Sequence, residues 1–192
     1  MTSKPVLMIH QITEEMFSLP LENYILTFDD GLYGHYYYFE QVKKIPTEKI
    51  YFISTAFVNN GHQSTKFPTS VEAHAKAKSG NYEDFISLDQ LEEMLYTPNV
   101  SIGGHGHNHV SLDSMRSLYE MVNSMSTDTN AMMQWFGANL NIAPTKFCYP
   151  YNNDVNGVYT AMLKKFGLTE FYGSERIPVE TLLRTQVQPA SL

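Results

Sequence analysis

The chain has 192 residues, 43% hydrophobic and 17% charged, a globular rather than a disordered composition. Thirteen Lys and Arg against twenty Asp and Glu give a formal charge of −7, which argues against nucleic acid and anionic membranes as partners. The single cysteine, Cys148, excludes an intramolecular disulfide, and neither a membrane span nor a signal-peptide core is read, so a soluble, cytoplasmic, single-domain protein over residues 1–192 is expected.

In chain order, short apolar runs alternate with segments of helical period. Val6–Ile9 predicts a first strand, followed at once by His10. Tyr24–Phe28 predicts a second, running into Asp29-Asp30-Gly31. A helix over Tyr36–Lys44 is ended by Pro46, and Lys49–Ser54 gives a third strand. The polar stretch Asn59–Asn81 reads as a long surface loop, and His35, His62 and His74 read as surface residues. Leu88–Tyr96 is a helix with Ser87 and Gln90 at capping-box spacing, and Val100–Gly103 is the fourth strand. Leu112, Met115, Leu118, Val122 and Met125 mark one face of a helix over Leu112–Phe136, with Ser111 as N-cap and Gly137 as its stop. Thr145–Tyr149 is a strand in which Cys148 reads as a small buried hydrophobe. A helix over Val155–Phe166 stops at Gly167, and Glu170–Tyr172 and Leu182–Val187 complete seven strands. The alternation predicts a mostly parallel α/β fold, either an open doubly wound sheet or a small, incomplete barrel. A complete eight-unit barrel usually needs about 200 residues or more.

The polar groups gather at the C-terminal ends of the predicted strands, where α/β folds carry their sites. His10, Asp29 with Asp30, the run His105-Gly106-His107-Asn108-His109, and Tyr149-Pro150-Tyr151 all fall there. Adjacent carboxylates diverge, which suits Asp29 and Asp30 to two roles, one on a metal and one on a proton, although Asp-Asp-Gly is also plain turn chemistry. His105 and His109 stack on one face if the segment begins a helical turn; two His and one Asp then leave coordination positions open for hydrolysis. An extended segment would instead align His105, His107 and His109. The glycines at 103, 104 and 106 favour the turn, with His107 facing away.

These motifs resemble the NodB-like polysaccharide deacetylases of carbohydrate esterase family 4. Thr27-Phe28-Asp29-Asp30-Gly31 is close to the family's opening motif, and His105 to His109 fits its His-x-x-x-His, with Gly106 in place of the usual Ser or Thr. Phe147-Cys148-Tyr149-Pro150-Tyr151 fits only the Pro-Tyr part, because Cys148 stands where an arginine is common. The resemblance covers about residues 5 to 187. It implies a distorted, incomplete (β/α)7 barrel, a divalent metal (Zn2+ above Co2+, Ni2+, Mn2+ or Fe2+) on Asp30, His105 and His109, and Asp29 as catalytic base. No histidine after His109 supplies the family's C-terminal acid. Leu7-Met8-Ile9-His10 is similar to the Leu-x-x-His of a circularly permuted subgroup acting on poly-N-acetylglucosamine, which makes His10 the candidate acid. Pro150 and Tyr151, with the Tyr151 N–H at the oxyanion, and Arg184, in a segment similar to the end of that subgroup's domain, are the candidates for substrate binding.

The activity that the resemblance implies is removal of N-acetyl or O-acetyl groups from an acetylated carbohydrate, with an N-acetylglucosamine-containing polysaccharide as the expected substrate. Competing readings are an amidohydrolase for small amides or imides, and a non-catalytic carbohydrate-binding relative. The retained Asp-Asp and His pair speaks against the last.

Overall fold

A computed structural model describes residues 4–61, 63–64 and 66–187. Seven strands are formed: β1 (Val6–Ile9), β2 (Ile25–Phe28), β3 (Lys49–Ile53), β4 (Val100–Gly104), β5 (Lys146–Cys148), β6 (Glu170–Tyr172) and β7 (Ile177–Pro178). They pair in the order β6-β5-β4-β3-β2-β1-β7, and every pairing is parallel. The ladder ends at β6 on one side and β7 on the other, so the barrel is incomplete. The central strand β3 is buried along its whole length, as expected of a sheet covered on both faces. Its Lys49 is reconciled with that burial by donating from Nζ to the carbonyl oxygen of Ile45 at 2.5 Å.

The helices are α1 (Tyr33–Tyr37), α2 (Phe39–Val42), α3 (Ser70–Ala77), α4 (Leu88–Leu95), α5 (Leu118–Leu140), α6 (Val158–Leu163) and α7 (Val179–Val187). Three carry complete capping boxes: Thr69 with Glu72, Ser87 with Gln90, and Ser117 with Glu120. Among the described residues no helix is long and apolar enough to cross a membrane.

Six sequence expectations about these elements need correction. The Asn59–Asn81 stretch is not all loop, because Thr69 and Glu72 cap α3, which buries Ala73 and Ala77 against Leu32 and Phe85. Leu112–Met115 precedes the long helix, which begins at Leu118: Ser117 finds Glu120 three residues on, whereas Ser111 finds Ser114. That helix passes through the open, uncrowded Gly137 and ends at Asn141 in the left-handed region (φ 52°). Burial of Phe136 and Leu140 outweighs the roughly 1 kcal/mol cost of one helical glycine. Leu182–Val187 is helical rather than a strand; the seventh strand is the two-residue β7, where Pro178 is tolerated at a sheet edge. Tyr36–Lys44 divides at Tyr38 into α1 and α2, and the Val155–Phe166 helix shortens to α6 plus one 3-10 turn before Gly167.

Candidate active site

The strand ends bring His10, Asp29, Asp30, His105, His109 and Tyr151 to the lining of one cleft. Asp29 closes β2, and Asp30 and Gly31 both take left-handed backbone (φ 76° and 77°), which turns the chain sharply and sends the two carboxylates apart. Asp tolerates that region better than most residues. A Cβ on Gly31 would come within 3.1 Å of Ile53 Cδ1, so glycine also serves the close approach of β3.

Asp30 faces the histidines. Its Oδ1 lies 3.3 Å from His105 Nε2 and 3.4 Å from His109 Nε2, and those two nitrogens are 3.2 Å apart. His105 Nδ1 donates to the Cys148 carbonyl at 2.8 Å, so Nε2 is the nitrogen turned toward Asp30; burial would lower the ring, but Cys148 and then Asp30 hold it well above its ordinary value. Burial alone would raise Asp30, yet the hydrogen bond and charge of His105, then His109 and His74, hold its carboxyl far below the usual range. Burial and the neighbouring His105 push His109 down to about 3, so its ring is neutral at neutral pH.

The loop from β4 to α5 brings His105 and His109 together without a helical turn. Asp128 of α5 anchors it, accepting from the N–H groups of His107 (2.7 Å) and Asn108 (2.8 Å) and from the Asn108 side chain (3.0 Å). Gly106 has φ 79°, and a Cβ there would lie 2.6 Å from Asp128 Oδ2, which accounts for glycine at that motif position. His107 faces away as expected, its Nδ1 2.8 Å from Thr55 Oγ1.

Asp29 is held differently. Arg176, between β6 and β7, donates from Nη1 to Asp29 Oδ1 at 2.7 Å and from Nη2 to Oδ2 at 2.8 Å, with both side chains buried. Burial would raise the Asp29 carboxyl, but the hydrogen bonds and charge of Arg176 prevail and lower it. Cys148 Sγ accepts from Arg176 Nη2 at 3.0 Å, and burial with the Asp29 charge pushes its thiol up to about 11. Cys148 is buried as expected, but it is also part of this network. His10 Nε2 stands 3.8 Å from Asp29 Oδ2 and is partly open to the cleft.

The cleft has a volume of about 510 Å³, and Tyr151 lines its rim with φ 56°, its ring 4.7 Å from that of His109. Pro150 beside it is buried. Arg184 is exposed on α7 and does not line this cleft. Two histidines read as surface residues are not. His35 is fully buried between Phe28 and Tyr51, its Nε2 2.9 Å from the His10 carbonyl, and burial lowers it to about 4. His74 of α3 lines the cleft, with Nε2 3.7 Å from Asp30 Oδ1. His62 lies outside the described residues.

The donor chemistry fits a divalent ion at Asp30. Imidazole nitrogens converge there on one carboxylate oxygen, at separations close to the edge of a coordination tetrahedron with bonds of about 2.0–2.2 Å. Among the described residues another possible donor group, Asp29, His105 and Cys148, already holds the Arg176 guanidinium on both Asp29 oxygens, which repels a second cation.

An incomplete (β/α)7 barrel with an Asp-Asp pair facing two histidines across its rim is the architecture of a NodB-homology deacetylase. The chain belongs to that family: the polysaccharide deacetylase model matches residues 20–171. These are carbohydrate esterases, hydrolases that act on acetyl groups, and they generally use a divalent metal. No curated protein matches the chain in sequence. Among solved structures, IcaB from Ammonifex degensii aligns with a TM-score of 0.65 at 16% identity, over 91% of this chain and 84% of that one. A polysaccharide deacetylase from Bacillus cereus aligns with a TM-score of 0.63 at 13% identity, over 94% and 68%. A de-N-acetylase from Aggregatibacter actinomycetemcomitans gives 0.60 at 15%, over 89% and 76%. At these identities the likeness is one of fold.

Proposed function

We propose that this protein is a metal-dependent deacetylase that removes N-acetyl groups from an N-acetylglucosamine-containing glycan, with residues 1–192 acting as one domain. The observation that carries the reading is the division of labour between adjacent carboxylates. Asp30 sits among imidazole nitrogens, while Asp29 is held ionised by Arg176 and faces the cleft beside His10.

Asp30, His105 and His109 would hold the ion, which when bound polarises water and the acetyl carbonyl. Asp29 accepts a proton from the attacking water, a role that requires its ionised form. Arg176 keeps it in that form and fixes both oxygens. His10, 3.8 Å from Asp29 Oδ2 on the open side of the cleft, delivers a proton to the departing amine. The Tyr151 N–H, at the turn after Pro150, is the candidate donor to the oxyanion. The C–N bond breaks, and acetate and a free amino sugar leave.

The glycan reading draws on a second cavity of about 270 Å³ that shares His10 with the first. The half-exposed rings of Tyr37 and Phe67, 4.7 Å apart, stand beside it and offer apolar faces to a sugar. The test is acetate release from N-acetylglucosamine oligomers with metal content measured in parallel, wild type beside Asp30→Ala. Acetate release by the metal-loaded wild type and its loss with the metal in Asp30→Ala are expected. Equal release by both, or turnover of small cyclic amides without any oligomer, overturns the reading.

A further inference from the structure

Helix α3 presents two groups to Asp30 from one face. Ser70 and His74 are four residues apart, so their side chains lie one above the other. Ser70 Oγ donates to Asp30 Oδ2 at 2.6 Å. His74 Nδ1 lies 2.8 Å from the Ser70 carbonyl and 3.2 Å from Ser70 Oγ. The Ser70 hydroxyl proton is committed to Asp30, so both neighbours of Nδ1 are acceptors there and Nδ1 carries the ring proton. The lone pair of His74 is therefore on Nε2. That atom is buried, has no hydrogen-bond partner, and stands 3.7 Å from Asp30 Oδ1.

A histidine that ligates a metal through one nitrogen commonly donates from the other to a backbone carbonyl or carboxylate. His74 and His105 both show that arrangement, whereas Nδ1 of His109 is buried without a partner. The donor atoms of Asp30, His74 and His109 all lie within 4.8 Å of one another. The rings of His74 and His109 are 4.5 Å apart.

We propose that His74 is a fourth protein ligand, so that the ion is held by Asp30 Oδ1 and by Nε2 of His74, His105 and His109. Four protein ligands would leave water a fifth position rather than a fourth, a number that zinc sites can reach on expansion. Ser70 acts behind the site, orienting Asp30 and fixing the His74 tautomer. This inference rests on the metal site proposed above and adds one ligand to it.

The test is titration of the metal-stripped full chain with Co2+ alone, followed by visible absorption and calorimetry. In wild type, five-coordinate cobalt bands are expected. In His74→Ala the bands shift and affinity falls more than about 100-fold, beyond the roughly 10–100-fold that loss of an outer hydrogen bond gives. Free imidazole restores the bands. Ser70→Ala calibrates the outer-shell effect, with weaker binding and unchanged band positions. A His74→Ala protein with wild-type bands overturns the fourth ligand, whether or not affinity falls. Failure of the wild type to bind Co2+ overturns the metal site itself, a result distinct from normal wild-type binding with unchanged His74→Ala.

Discussion

Arg176→Met removes the only guanidinium on Asp29 and leaves a carboxylate with 2% exposure facing an apolar side chain. Breaking a buried pair from one side costs about 3–5 kcal/mol, a large share of the roughly 5–15 kcal/mol that holds a domain folded. The loss also depends on pH. In wild type, Asp29 is depressed below its unfolded value, so its contribution is present above about pH 3.9 and lost as pH falls through the native pKa. In the variant, burial is opposed only by the weaker charges of His105 and His10, so Asp29 rises from its wild-type value; the penalty accumulates with rising pH and vanishes once both states are protonated. The stability gap between the two proteins is therefore widest near about pH 8 and narrows toward about pH 4. Urea unfolding at several pH values reads it directly. Arg176→Lys keeps a charge but not the fork, and serves if the methionine variant does not fold. Adding Asp29→Asn to Arg176→Met should recover part of the loss, with a coupling of about 1–3 kcal/mol. The acid limb of the kcat/KM profile should move to higher pH in Arg176→Lys. A cost under about 1 kcal/mol that is constant across pH would refute the pairing as the force that holds Asp29 ionised.

His105→Ala and His109→Ala should each yield metal-poor, inactive protein while His107→Ala retains metal; elemental analysis that shows the reverse would overturn the ligand set. Asp29→Asn should keep its metal and lose about 10²–10⁴-fold in rate, and near-normal turnover would place the base elsewhere. His10→Ala should lose activity severely on N-acetyl amides and mildly on an activated acetyl ester, whose phenolate leaves unprotonated; equal losses on both would leave His10 a positioning role only. Gly106→Ala should lower stability by about 1–3 kcal/mol, because the left-handed backbone and the crowding against Asp128 both oppose a Cβ. Thermal melts comparable to wild type would mean that the loop adapts.

Most of the sheet was legible because each strand is a short apolar run ending on a polar rim, and six of the seven lie within a residue of their expected place. The seventh was missed because Ile177-Pro178 is too short to show a period, while Leu182 and Leu183 supply an apolar signal that belongs to α7. Helix α3 was hidden by its polar face, although Thr69-x-x-Glu72 is the same capping pattern that located α4. The missed helix concealed His74 and Ser70. Local sequence showed the motifs that face the cleft, but not what stands behind them: Arg176 and Asp128 reach the site from distant parts of the chain, and neither lies in a motif.

Arg176 gives physical content to the chain's departure from the family pattern at Cys148. Strands β5 and β6 are neighbours, with Cys148 opposite Tyr172, so the turn after β6 opens onto the same rim as the end of β5. In that turn the Gly173 carbonyl accepts from Arg176 Nε at 3.0 Å, while Glu175 Oε1 accepts from the Gly173 N–H at 2.9 Å. These bonds aim the guanidinium back across the sheet end. It passes close to the small thiol of Cys148, and Thr27 Oγ1 and Asn152 Oδ1 accept from it at 3.0 and 3.1 Å. A long side chain at position 148 would compete for the space beside Asp29 that the guanidinium fills. A cation at both positions would crowd two like charges onto one buried carboxylate. The cysteine and the distant arginine are therefore parts of one arrangement: the small thiol at the end of β5 leaves beside Asp29 the space that the Arg176 guanidinium fills from the end of β6.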